Sequence, residues 1–233
     1  FLCLHLIKNS KTMKRIILSL FVLATASMNV ACKGEKNETG EAGEVATASA
    51  ESTTYVVNTE NSVIEWTGSK PAGKHNGTIN LKSGEVAVTN EAIESGMFVI
   101  DMNSIVVTDL VAGDGKEDLE AHLKGTGDKA GEDHFFNATK FPESKFEITG
   151  ITSIEGKTTV NGNLTIKNIT KPVSFPAKVT YEGDTMMLVS EAFMINRTQW
   201  NVNYASKSIF DDLKDKFVND EIELVVKLNA TKK

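Results

Sequence analysis

From about Tyr55 to the C-terminus this chain repeats one pattern: short runs in which apolar and polar residues strictly alternate. Ile64 and Trp66 alternate with Glu65 and Thr67. Phe98, Ile100 and Met102 alternate with Val99, Asp101 and Asn103, and Phe146 and Ile148 alternate with Lys145, Glu147 and Thr149. Val160, Gly162, Leu164 and Ile166 oppose Thr159, Asn161, Asn163 and Thr165. Val173, Phe175, Ala177 and Val179 oppose Ser174, Pro176, Lys178 and Thr180. Ile222, Leu224, Val226 and Leu228 oppose Glu221, Glu223 and Lys227. A period of two arises when successive side chains point to opposite faces of a strand and one face is buried. Turn-forming groups stand among the runs: Ser83-Gly84, Ser95-Gly96, Glu155-Gly156-Lys157 and Glu182-Gly183-Asp184. The spacing predicts roughly eight short antiparallel strands. One interruption, Lys116 to Lys124, reads as a helix with acids early, a lysine last, and Leu119 and Leu123 on one face. A shorter helical turn is expected at Ser208–Lys216. Many short strands must close on themselves or pair their edges, as a barrel or a sandwich. An eight-stranded barrel is filled by side chains or holds one small ligand, and alternation does not choose between these.

The first 31 residues follow other rules. They carry Lys8, Lys11, Lys14 and Arg15 and no acid. Met13-Lys14-Arg15 reads as a start and basic n-region, the run Ile16 to Ala26 as the apolar core of a signal peptide, and Val30-Ala31-Cys32 as its end. The cysteine in that place resembles a bacterial lipobox, with Asn29 where leucine is usual. Cys32 is therefore expected to be lipidated and to anchor the protein to a membrane. The alternative is an ordinary signal peptide cut near Ala31. Lys33 to Thr54 is rich in Glu, Gly, Ala, Ser and Thr and lacks aromatic residues, the composition of a disordered tether. The expected organisation is thus 1–31 leader, 32–54 tether and 55–233 folded domain. Without the leader, 21 basic groups face 31 acidic ones, which argues against nucleic acid as a partner. The only cysteines, Cys3 and Cys32, precede the domain, so it has neither a disulfide nor a thiol nucleophile.

Longer motifs stand in a definite order: WTGSKPAGKHNGTI (Trp66–Ile79), FVIDMNSIVVTDL (Phe98–Leu110), HLK (His122–Lys124), HFFNATKFPESKFEI (His134–Ile148), NGNLTIKNITKPVSFP (Asn161–Pro176) and INRTQWNVNY (Ile195–Tyr204). The ordered series closely resembles the YceI-like family of bacterial periplasmic proteins over nearly all of 55–230. That resemblance implies an all-β, eight-stranded antiparallel, lipocalin-like β-barrel with a short helical insertion. It also implies an apolar tunnel holding a polyisoprenoid, an isoprenoid quinone or a fatty amide. The segment Gly125 to Asp133 is longer than the family's usual link.

Phe98, Ile100, Phe146, Phe175 and Phe193 are candidates to line such a tunnel, although apolar stripes more often fill a core. His75, His122 and His134, with Lys124 and Arg197, are candidates for a polar cluster at its mouth that binds a headgroup. Arg197 has a structural alternative, an ion pair across the sheet. Trp66 and Trp200 either stack on a ligand or close the barrel end. The histidines, even with Asp133, lack metal-ligand spacing such as HxH or HExxH, so no metal and no cofactor is expected. No nucleophile, base and orienting acid form a set, and Gly-x-Ser-x-Gly and phosphate loops are absent. The expected function is non-catalytic carriage or sequestration of an isoprenoid or other long-chain lipid in the cell envelope, in the periplasm or at the surface. Two alternatives stand beside it: a hydrolase or isomerase using His122 and His134, and a plugged barrel whose loops bind a protein.

Overall fold

Hairpins joined by tight turns build the domain. The computed structural model describes residues 40–154 and 157–233. The expected signal peptide, Cys32 and the first part of the tether lie outside the described residues. The strands are β1 (Thr53–Val57), β2 (Val63–Lys70), β3 (Gly73–Thr89), β4 (Ala92–Asp101), β5 (Val106–Val107), β6 (Glu143–Ile154), β7 (Lys157–Ile166), β8 (Ile169–Glu182), β9 (Thr185–Ser190), β10 (Phe193–Asn196) and β11 (Glu221–Lys232). Helix α1 (Lys116–Lys124) stands between β5 and β6, where alternation breaks.

All the strand pairings are antiparallel, and the sheet closes on itself because β11 pairs with β2 on one side and with β9 on the other. The eleven segments occupy eight places in an irregular, lipocalin-like ring. Three places are shared by two segments each. Strands β1 and β2 both lie between β11 and β3, β5 follows β4 along β3, and β9 and β10 pair successive stretches of β11. The eight expected strands are therefore eight places, not eight segments.

Register shifts set which residues face inward. The shift between Leu81 and Ser83 moves the inward set of β3 from Ile79 and Leu81 to Gly84, Val86 and Val88. A second shift, between Ile148 and Gly150, does the same in β6. An extra residue on one strand reverses the parity of all that follows.

Two expected turns are interior strand positions. Ser83-Gly84 lies inside β3, and a Cβ on Gly84 would sit 2.8 Å from both Phe98 and Val57 side-chain atoms. Ser95-Gly96 lies inside β4, where a Cβ would come 2.9 Å from Ile148 Cδ1. These glycines admit neighbouring side chains rather than turning the chain. The β3–β4 turn is instead Asn90-Glu91, with φ of 50° and 63°, the left-handed pair of a tight hairpin. Lys167-Asn168 turns β7 into β8 in the same way. The turn at Gly183 between β8 and β9 is where the sequence puts it. The β6–β7 connection, 155–156, lies outside the described residues. At Ser208–Lys216 only Lys214–Lys216 forms a 3₁₀ turn, because Asp212, at φ 63°, breaks any longer helix.

Part of the expected tether lies against the domain. Gly43 exchanges two hydrogen bonds with the Asn163 side chain, donating at 2.9 Å and accepting at 2.8 Å. The Ala46 amide donates to the Ile148 carbonyl at the β6 register shift, and the Ser49 amide donates to Glu94. Residues 43–49 thus lie on the outer wall, held by backbone and side-chain hydrogen bonds that need no apolar burial. Asn163→Ala removes both bonds to Gly43 and is expected to cost about 1–2 kcal/mol in chemical denaturation. Deuterium exchange at the Gly43 and Ala46 amides should quicken while the amides of β7 stay protected.

Candidate functional site

The ring's interior holds two apolar cavities, of about 100 Å³ and about 70 Å³. Ile64, Ile100, Leu164 and Leu224 line both, so the two lie end to end. The larger reaches the α1 end, where Leu123, Phe135 and Phe136 cover it beside Ile105, Met102 and Trp66. The smaller is lined by Phe98, Phe146, Phe175 and Phe193 with Ile148, Val160 and Leu188.

Those four phenylalanines form a row across the wall. Ring centroids are 6.3 Å apart for Phe98–Phe146, 5.6 Å for Phe146–Phe175 and 4.6 Å for the stacked pair Phe175–Phe193. Strand β7 separates β6 from β8, and at Gly162 it has no side chain. A Cβ there would lie 2.3 Å from Phe146 Cζ. The Phe146 ring therefore lies across β7 and reaches Phe175. Glycine is required at this position by close approach, not by its φ.

The cover at the other end is built on the C-terminus of α1. Gly125 ends the helix in the left-handed region, at φ 67°. The carbonyls of Leu123 and Lys124, which have no partner within a helix, accept from the amides of Phe136 and Ala138 at 3.1 and 2.7 Å. This ties the Phe135-Phe136 step to the helix and brings His134 back to His122. Their Nε2 and Nδ1 atoms are 2.9 Å apart, one donating and the other accepting. Tyr204 packs 4.6 Å from both imidazoles and Phe135 lies 5.0 Å from His122. Burial, then the neighbouring His134 and Lys129, pushes His122 below its ordinary pKa and favours the neutral ring. Glu132 Oε2 lies 3.1 Å from His134 Nδ1 without hydrogen-bond alignment; this oxygen is buried and has no hydrogen-bond partner.

Two buried cations hold the segments around the cover. Lys167 donates to the Phe135 and Asn201 carbonyls and pairs with Asp133 at 2.7 Å. Burial pushes the Asp133 carboxyl up, but hydrogen bonds from Lys167 and Asn137 outweigh it and hold the group below its ordinary value. Arg197 donates to the carbonyls of Asn219, Val202, Tyr204 and Val218 and lies 3.5 Å from Asp220. Burial lowers its pKa.

A model of the YceI-like domain matches residues 55–230. The chain belongs to the YceI-like family. Among relatives of this YceI-like chain, a UPF0312 protein of Yersinia pestis (strain Pestoides F) is 30% identical over 95 residues, 41% of this chain and 42% of that protein. Protein YceI of Salmonella arizonae is 38% identical over 50 residues, 22% of this chain and 26% of that protein. The chain spans less than half the length of the curated relatives it matches. Burkholderia cenocepacia BcnA has a similar fold, with a TM-score of 0.58, 22% identity and coverage of 75% of this chain and 99% of that one. So does a polyisoprenoid-binding domain from Saccharophagus degradans implicated in plant cell wall breakdown, with a TM-score of 0.53, 10% identity and coverage of 78% and 99%.

In the YceI-like domain the expected tunnel residues Phe98, Ile100, Phe146, Phe175 and Phe193 all line a cavity. The expected mouth cluster divides. His122 and His134 meet just outside the wall made by Leu123 and Phe135. His75 is elsewhere, paired with Asp109 at 2.8 Å, and lines neither cavity. Lys124 also lines neither and faces Glu120 at 3.8 Å. Arg197 lines the larger cavity, and four backbone carbonyls accept from its guanidinium. Trp200 is buried, donates to the Leu164 carbonyl at 3.0 Å and lines neither cavity, whereas Trp66 does. Sequence patterning alone does not single out Glu132, Lys167 and Tyr204. The signals that point to the first two are a Glu-x-His step before two phenylalanines and a lysine inside an otherwise alternating hairpin.

Gly162→Ala is expected to cost about 1–3 kcal/mol through overpacking and to displace the Phe146 ring, seen as changed aromatic shifts of Phe146 and Phe175. Lys167→Met, which strands the buried Phe135 carbonyl and removes a donor from the part-buried Asn201 carbonyl, should cost about 1–3 kcal/mol in urea unfolding. Asp133→Asn should cost less than about 1 kcal/mol, because Asp133 is exposed.

Proposed function

We propose that this protein binds a long-chain apolar lipid of isoprenoid type inside the ring and carries or sequesters it, without catalysing a reaction on it. One observation carries the reading: two apolar cavities lie end to end in the interior, walled by a row of phenylalanines. Protein cores rarely keep such space, since unfilled volume costs about 24 cal/mol per Å³. An apolar chain placed there recovers about 0.8 kcal/mol per CH₂ it buries. The likeness in fold to the polyisoprenoid-binding domain of Saccharophagus degradans supports the same ligand class. The cavities also favour this reading over a barrel plugged by its own side chains.

The protein acts, in this proposal, in the cell envelope, exported by the leader and anchored through lipidated Cys32. No helix among the described residues is long and apolar enough to cross a membrane. The wall segment 43–49 leaves ten residues, 33–42, between Cys32 and the part of the chain held against the ring.

Organic extraction of protein purified from a bacterial host, followed by mass spectrometry, is expected to release an isoprenoid-type amphiphile. If none is found and none can be loaded, the proposal fails. Leu224→Trp fills the junction of the two cavities. It should lower lipid loading by about tenfold, equivalent to about 1.4 kcal/mol, while the melting temperature is kept or raised.

A further inference from the structure

We propose that His122, Glu132 and His134 bind a divalent transition-metal ion, zinc foremost, that staples the Gly125–Asp133 loop to the end of α1. Each residue offers one donor atom, and the three atoms lie within 4.8 Å of one another. The donors come from two segments: the last turn of α1, and a Glu-x-His step that the left-handed Gly125 folds back beside it.

The donor chemistry fits. Two imidazole nitrogens and one carboxylate oxygen form a set that zinc takes in three-ligand sites with a fourth position open. The His134 and Glu132 side chains are 40% and 37% exposed, so water can reach that position. The Glu132 Oε2 atom itself is buried without a hydrogen-bond partner. A carboxylate oxygen shielded from water favours a cation beside it, and the ammonium nearest to this one, Lys129 Nζ at 3.6 Å, stands beyond hydrogen-bond distance. The geometry needs little change. The ring nitrogens stand 2.9 Å apart, and tetrahedral zinc with Zn–N of about 2.05 Å sets them at about 3.3 Å. The rings must part by a few tenths of an ångström, and Tyr204 and Phe135 hold their planes as they do.

One group opposes the ion. Lys129 pairs with Glu132 at 3.6 Å, and metal binding replaces that exposed ion pair. Asp133, next in sequence, is held by Lys167 and takes no part. Because Leu123 and Phe135 adjoin the ligands and line the larger cavity, the staple fixes the cover over that cavity. The site does not depend on what the interior holds.

The full chain, stripped with EDTA and dialysed, is titrated with zinc chloride by calorimetry, and bound metal is counted by mass spectrometry. Wild type should bind with sub-micromolar affinity and melt at a higher temperature with zinc. Glu132→Gln and His134→Gln should each weaken binding at least tenfold and abolish the zinc-dependent rise, while His75→Ala keeps both. No zinc binding by wild type, or undiminished binding by folded His134→Gln, overturns the proposal. Should either variant fail to fold by circular dichroism, X-ray absorption at the zinc edge of wild type decides. Scattering from two imidazoles supports the site, and a shell of thiolate or water alone overturns it.

Discussion

The pairing of β11 with strands on both its sides is the interaction on which the rest depends. It is the last strand in the chain, and it meets β1 and β2 on one flank and β9 and β10 on the other. Without it the sheet has two free edges and no inside. With it, the alternating residues of every strand acquire an interior to face, and the backbone groups of both edges find partners. An enclosed apolar space follows from that closure rather than from any single side chain.

What occupies the space is governed by residues that are missing side chains. Gly162 lets Phe146 lie across a strand, and Gly84 and Gly96 admit Phe98 and Ile148. The register shifts in β3 and β6 turn the strands so that their apolar sets meet over the same volume. The result is a wall of large, stiff rings beside gaps, which suits a flexible apolar chain better than a close-packed core would. Polar chemistry is confined to the ends. Arg197 and Lys167, both buried, are taken up by backbone carbonyls of the segments that cover the ring.

The cover itself arises from a general property of helices. The last carbonyls of α1 lack partners within the helix, and the Phe135-Phe136 segment supplies the amides. That same docking sets His134 against His122 and leaves Glu132 Oε2 buried between them and the loop. A structural need at a helix end thus produces a cluster with ligand chemistry.

Most of the fold was legible in the sequence because alternation is a local signal. It identified an all-β antiparallel domain and placed Phe98, Ile100, Phe146, Phe175 and Phe193 on inward faces, since between register shifts the side a residue takes follows from its neighbours in the strand. The helix at Lys116–Lys124 was legible for the same reason. Gly84 and Gly96 look like turns in sequence but lie inside strands, because a local pattern cannot show what lies across the sheet. The histidines divided for a related reason. His75 stands on a hairpin that meets Asp109, while His122 and His134 are joined by a loop whose path depends on Gly125 and on helix-end carbonyls. The covering of residues 43–49 depended on Asn163, 120 positions along the chain. Sequence determined which residues share a face within each stretch of unbroken register. Tertiary structure alone decided ring closure, the cavities and the His122–Glu132–His134 cluster, because each is a contact between residues whose separation no local period records.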